Sequence, residues 1–180
     1  EVRGFDTDPS SAIVRIGVIC HETGHFLGLP DLYDTDYGSY GAGDFCVMAY
    51  GSWNGNSGTS PAHMSAWCKK TLGWVTPTQL AASGNYSLPR VEDNSNALYL
   101  LRGPAFAATE YFLMENKQGF GFDAGLPGPT RGILIWHVDE TQANNNDQTR
   151  YLVDLMEADG VQNLANNTNR GADADYYRLG

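Results

Sequence analysis

The sequence is short of basic residues and has no long apolar run. Its 180 residues include 11 lysines and arginines against 21 aspartates and glutamates, which gives a formal net charge of -10. This balance excludes a nucleic-acid partner, because phosphate binding requires a basic surface. The apolar stretches fall short of the roughly 18 residues that a membrane-spanning helix requires. We therefore expect neither a nucleic acid nor a membrane among the partners.

Cysteines are also scarce, since the sequence contains only Cys20, Cys46 and Cys68. Three are too few and too scattered for a disulfide framework. One bridge between two of them is feasible. The better pair is Cys46 with Cys68, because Cys20 falls within a helical pattern. The odd count leaves one thiol over in either case.

The remaining composition is that of an ordinary folded domain. Apolar residues make up 42% and aromatic residues 12% of the sequence, so disorder is not expected. One domain over 1–180 is the default at this length, and it would bury roughly 70% of the unfolded surface. The first residues lack the basic and apolar segments of a signal peptide, so we expect any leader to have been removed or left outside this sequence.

The amino-terminal part has the pattern of a helix. Asp8 suits the cap of a helix and Pro9 its first position, and apolar residues recur at helical spacing as far as Leu27. The pattern predicts a helix over 9–27. Gly28 suits the left-handed turn that would end it.

The next segment, 31–60, is rich in glycine, serine, asparagine and aspartate, which predicts a long ordered loop. Loops of this length in compact domains are usually functional or disordered, and the aromatic residues here favour the functional kind. A second helix is predicted over 61–71, with Pro61 near its start and Gly73 after its end. The aromatic residues expected to anchor the loop to a core are Tyr33, Tyr37, Phe45 and Trp53.

After residue 76 the pattern becomes that of short strands separated by turn-forming clusters. Helices followed by strands predict an α+β fold with a mostly antiparallel sheet. The predicted strands cover 86–91, 97–102, 110–115, 133–138 and 151–157.

Residues 21–25 read H-E-T-G-H and lie inside the predicted first helix. The spacing places His21 and His25 one turn apart on the same face, where both imidazoles can bind one zinc ion. Glu22 lies one step round the helix, in a position to hold a metal-bound water. Zinc lowers the pKa of such a water towards about 7, and the carboxylate can then take its proton and pass it to a leaving amine.

The third zinc ligand predicted by the sequence is Asp31. Gly28 can adopt a positive φ that reverses the chain, so that Asp31 approaches the ion from outside the helix. Three protein ligands leave the fourth position of a tetrahedral zinc site open for water. His63 and His137 are the other conceivable third ligands, although a half-buried strand histidine is the simpler explanation of His137. The alternative for Asp31 is a turn or capping aspartate. Separately, the alternative for His21 and His25 is a pair of hydrogen-bonded helix histidines.

A second element, 44–53, contains Met48 and Tyr50. In metzincin proteases a methionine-containing turn lies beneath the metal as an apolar floor, a place that Met48 fits. In some metzincins a tyrosine two residues after the methionine approaches the zinc and can stabilise the oxyanion, and Tyr50 has that spacing. Simple packing under the loop is the alternative for both side chains.

These motifs together resemble the immune inhibitor A family of secreted bacterial metalloendopeptidases. The resemblance is strongest in H-E-T-G-H-F-L-G-L-P-D-L-Y-D at 21–34 and V-M-A-Y-G-S-W at 47–53. Further segments similar to that family are 65–67, 72–75, 112–116, 134–140 and 153–160.

The resemblance implies a zinc endopeptidase with His21, His25 and Asp31 as ligands and Glu22 as base. It also implies export, a propeptide and structural calcium. The metzincin-like arrangement would place the zinc helix, Met-turn loop and second helix in 1–75 and a β-rich part in 76–180. A subdomain precedes the zinc helix in such proteases, and its sheet edge usually pairs with the substrate. We therefore expect the C-terminal part of a catalytic domain, whose partner is a missing N-terminal subdomain or propeptide.

Calcium requires six to eight oxygen ligands, which acidic loops can supply. A solvated acidic surface is the alternative explanation for each carboxylate. The candidate ligands are Asp34, Asp36, Asp44, Asp139, Asp147, Glu157 and Asp159.

The sequence thus predicts a secreted zinc-dependent endopeptidase that hydrolyses proteins or peptides, or a fragment of one. A non-catalytic, zinc-stabilised binding module or inactive fragment is the main alternative. A zinc aminopeptidase is a third hypothesis, and it would require a free substrate N-terminus.

Overall fold

The fold, taken from a computed structural model that describes residues 14–178, combines two helices with one sheet. Helix α1 covers Ile16–Phe26 and helix α2 covers Ala66–Thr71. Across the described residues, no helix is long and apolar enough to cross a membrane. The α+β class is confirmed. The strands that follow the helices are β1 Thr78–Gln79, β2 Leu98–Leu101, β3 Glu110–Lys117, β4 Gly132–Asp139 and β5 Val153–Leu155.

The predicted first helix, 9–27, is wrong in its start and close in its end. Arg15 has extended backbone angles (φ -75°, ψ 142°), and the helix begins after it. The loop after α1 supplies the reason, because the Gly58 carbonyl accepts the N–H of Gly17 at 3.0 Å. The predicted cap and first position, residues 8 and 9, lie outside the described part of the chain. Gly28 has the expected positive φ of 96°.

The long loop is ordered and contains two short 3₁₀ helices, Gly43–Phe45 and Tyr50–Trp53. Phe45 is fully buried, whereas Tyr37 is 75% exposed, so the prediction that Tyr37 anchors the loop is wrong. Its backbone has a positive φ of 63°. The Asp34 carboxylate accepts the N–H of Gly38 and closes a turn that directs Tyr37 outwards.

Helix α2 starts more than a turn later than the predicted 61–71. The Ser65 side chain accepts the N–H of Cys68 and caps the helix. Just before it, the N–H of His63 donates to the Asp123 carboxylate at 2.8 Å, which holds the chain out of a helical path. The end of α2 agrees with the prediction.

The five strands form one sheet in chain order from β1 to β5. Only β1 with β2 is parallel, and the other three pairings are antiparallel. A strand overlaps each of four predicted segments: 97–102, 110–115, 133–138 and 151–157. The predicted strand over 86–91 is wrong, because this mostly exposed stretch has only one isolated bridge, from Arg90 to Asn116.

Buried charges fasten α2 to the sheet. Glu115 on β3 is fully buried and accepts hydrogen bonds from Lys69 at 2.6 Å and from the Trp136 ring N–H at 2.9 Å. Burial alone would raise the pKa of Glu115, but the nearby Lys69 and Lys117 ammonium groups outweigh it and lower that pKa. The ion pair thus fixes the position of α2, on which the loop before it depends.

Candidate metal centre

Three side chains converge where α1 ends. The Nε2 atoms of His21 and His25 lie 3.1 Å apart. Asp31 follows the chain reversal at Gly28, and its Oδ1 lies 3.1 Å from each of these nitrogens. The three atoms form an equilateral triangle, and the three residues could together hold a metal ion.

The outer nitrogens of both imidazoles are bound to backbone carbonyls. Nδ1 of His21 is 2.8 Å from the Val47 carbonyl, and Nδ1 of His25 is 2.8 Å from the Leu29 carbonyl. A carbonyl only accepts hydrogen bonds, so Nδ1 is the protonated nitrogen of each neutral ring. The Nε2 lone pairs therefore point into the triangle.

The centre of the triangle thus contains three lone pairs and no proton of a neutral ring. Asp31 Oδ1 is buried and has no hydrogen-bond donor. Such an arrangement is unfavourable unless a cation lies between the three atoms. The edges of 3.1 Å are close to the roughly 3.4 Å expected when tetrahedral metal–ligand bonds are about 2.0–2.1 Å. The residues present therefore fit a divalent metal ion.

The pKa values of His21 and Asp31 are both shifted in the direction that favours positive charge at the site. Burial alone would lower the pKa of His21, but the adjacent Asp31 carboxylate and the Val47 carbonyl outweigh it and raise that pKa. Burial alone would raise the pKa of Asp31, and the two histidines outweigh it and lower that pKa. One divalent cation would satisfy all three ligand atoms at once.

Met48 lies directly beneath this end of α1. It is fully buried, and a Cβ added to Gly24 would lie 2.2 Å from its sulfur. Only glycine at position 24 therefore allows the helix to approach the Met48 side chain this closely. The preceding residue, Val47, supplies the carbonyl that orients His21. This turn is thus both an apolar floor and a support for a candidate ligand.

Tyrosines line the other side of the centre. The Tyr33 ring stacks on His21 with centroids 6.2 Å apart, and the charge of the Asp31 carboxylate acts on its hydroxyl. Burial, with the charge of Asp31, raises the pKa of Tyr33 to about 12. Tyr50 is one ring further away, 5.6 Å from Tyr33, and the Arg170 guanidinium lies over its face.

Glu22 is exposed next to the triangle and does not belong to it. Its negative charge acts on His21, as one of the influences that raise the pKa of that histidine. This position leaves the carboxylate open to a small molecule beside the metal centre.

The two alternative histidine ligands lie elsewhere. His63 Nδ1 is 2.7 Å from the buried carboxylate of Asp123. His137 Nε2 is 2.9 Å from Glu110, across strands β3 and β4. Each therefore has a carboxylate partner of its own outside the triangle.

A second group that could hold a metal ion consists of Glu157, Asp159 and Asp175, whose ligand atoms lie within 4.8 Å of one another. Asp175 is fully buried, and its Oδ2 accepts the N–H of Ala172 while its Oδ1 has no donor. Burial, together with the two other carboxylates, raises the pKa of Asp175 to about 6.

Comparison with known proteins bears on the amino-terminal part of the chain. Residues 4–75 match the family described as immune inhibitor A peptidase M6, catalytic domain. Over these residues the chain is similar to the catalytic domain of the immune inhibitor A peptidases. The matched residues include the whole triangle and the turn that contains Met48.

Two curated relatives show the same similarity. The pre-pro-metalloprotease PrtV of Vibrio cholerae serotype O1 is 40% identical over 96 residues, which are 48% of this chain and 10% of the relative. Immune inhibitor A of Bacillus thuringiensis subsp. alesti is 46% identical over 65 residues, which are 32% of this chain and 10% of the relative. The aligned part thus spans about a tenth of each relative's length.

Two residues of these sites were missed in the sequence. Tyr33 was expected only to anchor the loop, and its place in the immune inhibitor A motif gave no indication that it stacks on His21. Asp175 was absent from the predicted calcium ligands, because it follows Glu157 and Asp159 only after a long loop. Others on that list serve turns: Asp139 accepts the N–H of Thr141.

Proposed function

We propose that the chain is the C-terminal part of the catalytic domain of a secreted zinc endopeptidase. The observation that supports this most is the set of three facing lone pairs on His21, His25 and Asp31. Two imidazoles and one carboxylate, with one position left open, are a donor set typical of catalytic zinc. The similarity to the immune inhibitor A peptidases supports peptide hydrolysis as the reaction.

The chemistry divides between the ion and the protein. Zinc, when bound, lowers the pKa of water and polarises a carbonyl group. Glu22 would accept the proton of the attacking water and donate it to the leaving amine. The Tyr50 hydroxyl would donate a hydrogen bond to the oxyanion. His21, His25 and Asp31 would hold the ion.

The surface of α1 supports the proposal that another part of the protein adjoins it. Ile16, Ile19 and Leu27 are each more than 40% exposed, and Phe26 is 89% exposed. An apolar helix face of this kind is normally covered. A preceding subdomain or propeptide would cover it, in keeping with one relative's description as a pre-pro-metalloprotease. This description and the resemblance also support export.

The experiment that tests the function is hydrolysis of an unfolded protein by the zinc-loaded chain, with the products identified by mass spectrometry. We expect internal cuts that a chelator abolishes and that added zinc restores. A natively folded, zinc-loaded chain that makes no cuts would favour the binding module or inactive fragment. Loss of cleavage when the substrate N-terminus is blocked would instead indicate an aminopeptidase.

We further propose that Glu157, Asp159 and Asp175 hold a structural calcium ion. The unpartnered, buried Oδ1 of Asp175 is the main support, since a buried carboxylate oxygen without a donor is costly. Calcium prefers carboxylate oxygens, with carbonyls and waters completing its shell. When bound, it would neutralise carboxylates that otherwise repel one another.

Calcium at about 100 times its dissociation constant should raise the melting temperature of the chain by roughly 5–10 °C. Asp175→Asn should remove most of that increase, because it removes the buried charge. Thermal unfolding followed by circular dichroism, with and without calcium, measures both. Asp147→Asn is the matched control, since Asp147 only closes a turn with Thr149. An equal calcium effect in both variants would contradict the assignment.

A further inference from the structure

Two buried cysteines lie side by side beneath the candidate metal centre. Cys46 belongs to the turn that contains Met48, and Cys68 belongs to α2. Their sulfur atoms are 3.9 Å apart across 22 residues of sequence, and neither side chain is exposed. The third cysteine, Cys20, is a partly buried residue of α1. The structure thus places Cys46 and Cys68 next to each other, as a disulfide bond requires.

The surroundings of this pair favour a thiolate on Cys46. Its sulfur accepts the N–H groups of Met48 at 3.4 Å and Ser65 at 3.3 Å. Burial alone would raise the pKa of the Cys46 thiol, but the bond with Cys68, the Lys117 ammonium and these N–H groups outweigh it and lower that pKa. The thiolate is the form of cysteine that attacks a disulfide.

We propose that Cys46 and Cys68 form a disulfide bond that ties the turn beneath the candidate metal centre to α2. A low-molecular-weight disulfide such as oxidised glutathione is the oxidant, and it acts while the chain folds, before the two sulfurs are buried. The Cys46 thiolate attacks one glutathione sulfur, forms a mixed disulfide and releases one glutathione thiolate. Cys68 then loses its proton to that thiolate and attacks the Cys46 sulfur, which releases the second glutathione. Two cysteine thiols are oxidised, and one oxidised glutathione becomes two reduced molecules.

The bond would close a chain segment that supports the proposed zinc site. Residues between the two cysteines include Val47, whose carbonyl orients His21, and Met48, whose sulfur packs against Gly24. Closing this segment restricts the unfolded chain more than the folded one, which stabilises the fold. For a segment of this length, reduction should lower the melting temperature by about 10 °C. Because this effect is structural, it does not depend on peptidase activity.

The test is to refold the full chain in the presence of oxidised glutathione, and then to denature it and alkylate it without a reductant. We expect one alkylated thiol, at Cys20, and a linked pair of peptides that contain Cys46 and Cys68 in the digest. A reductant should give three alkylated thiols and the lower melting temperature. Cys20→Ser should keep both the linked peptides and the reductant-dependent shift.

Cys68→Ser is the second control. It removes one cysteine of the proposed pair and keeps Cys20, the other cysteine with which Cys46 could form a bond. Its melting temperature should not respond to a reductant. Three alkylated thiols in natively folded, oxidant-treated chain would overturn the proposal, and so would a bridge that involves Cys20. A melting temperature that a reductant leaves unchanged in the parent would show that the bond does not form.

Discussion

Replacing Glu22 by glutamine should lower kcat for protein hydrolysis about a thousandfold and leave zinc bound. The amide keeps the shape of the side chain but cannot accept a proton from the attacking water, and general base catalysis contributes on this order. Because Glu22 is exposed and lies outside the triangle of ligand atoms, its loss should disturb neither the fold nor the metal. The measurements are the initial rate of cleavage and the zinc content per chain.

The control for this variant is Asp93→Asn, which removes an exposed carboxylate that pairs only locally with Arg90. It should cleave at the parental rate. Near-normal turnover by Glu22→Gln would show that the carboxylate is not the base. A fall in zinc content equal to the fall in rate would instead make Glu22 a determinant of metal binding.

Replacing Asp31 by alanine should weaken zinc binding by more than about a hundredfold and abolish cleavage at limiting zinc. Even residues that only orient a ligand cost up to about that much when they are changed. The variant leaves two facing imidazoles without the carboxylate that balances the charge of the ion. Competition with a chromophoric chelator measures the affinity.

His63→Ala and His137→Ala test the alternative third ligands directly. Both histidines have carboxylate partners outside the triangle, so zinc affinity should stay within a few-fold of the parental value. If either change weakened binding as much as Asp31→Ala does, the ligand set would be wrong. Circular dichroism should accompany both, because His63 is a partner of the buried Asp123.

The convergence of His21, His25 and Asp31 was predictable from sequence because its determinants are local. His21 and His25 depend only on helical spacing, and Asp31 depends on the positive φ that Gly28 adopts. The helical end of the motif therefore follows from about ten consecutive residues. The roles of Glu22 and Tyr50 remain predictions.

The parts that the sequence did not predict depend on distant residues. Helix α1 begins at Ile16 because the N–H of Gly17 donates to the Gly58 carbonyl. Helix α2 begins later than predicted because the N–H of His63 donates to the Asp123 carboxylate. Neither partner is visible in a local pattern. The strand expected over 86–91 had the right composition, but it lies at the surface with no neighbouring strand to pair with it along its length.

Lys117 shows that the segment recognised by comparison is smaller than the unit that folds. Its fully buried ammonium group reaches from β3 to donate to the carbonyls of Phe45 and His63, both at 2.9 Å. Residues 4–75 contain His21, His25 and Asp31, yet the loop that supports these residues takes its shape from a charge on the sheet. Excised at the family boundary, the same residues would lose that charge and leave these carbonyls unsatisfied. The end of the family match at residue 75 is therefore not the boundary of the part of the chain that folds together.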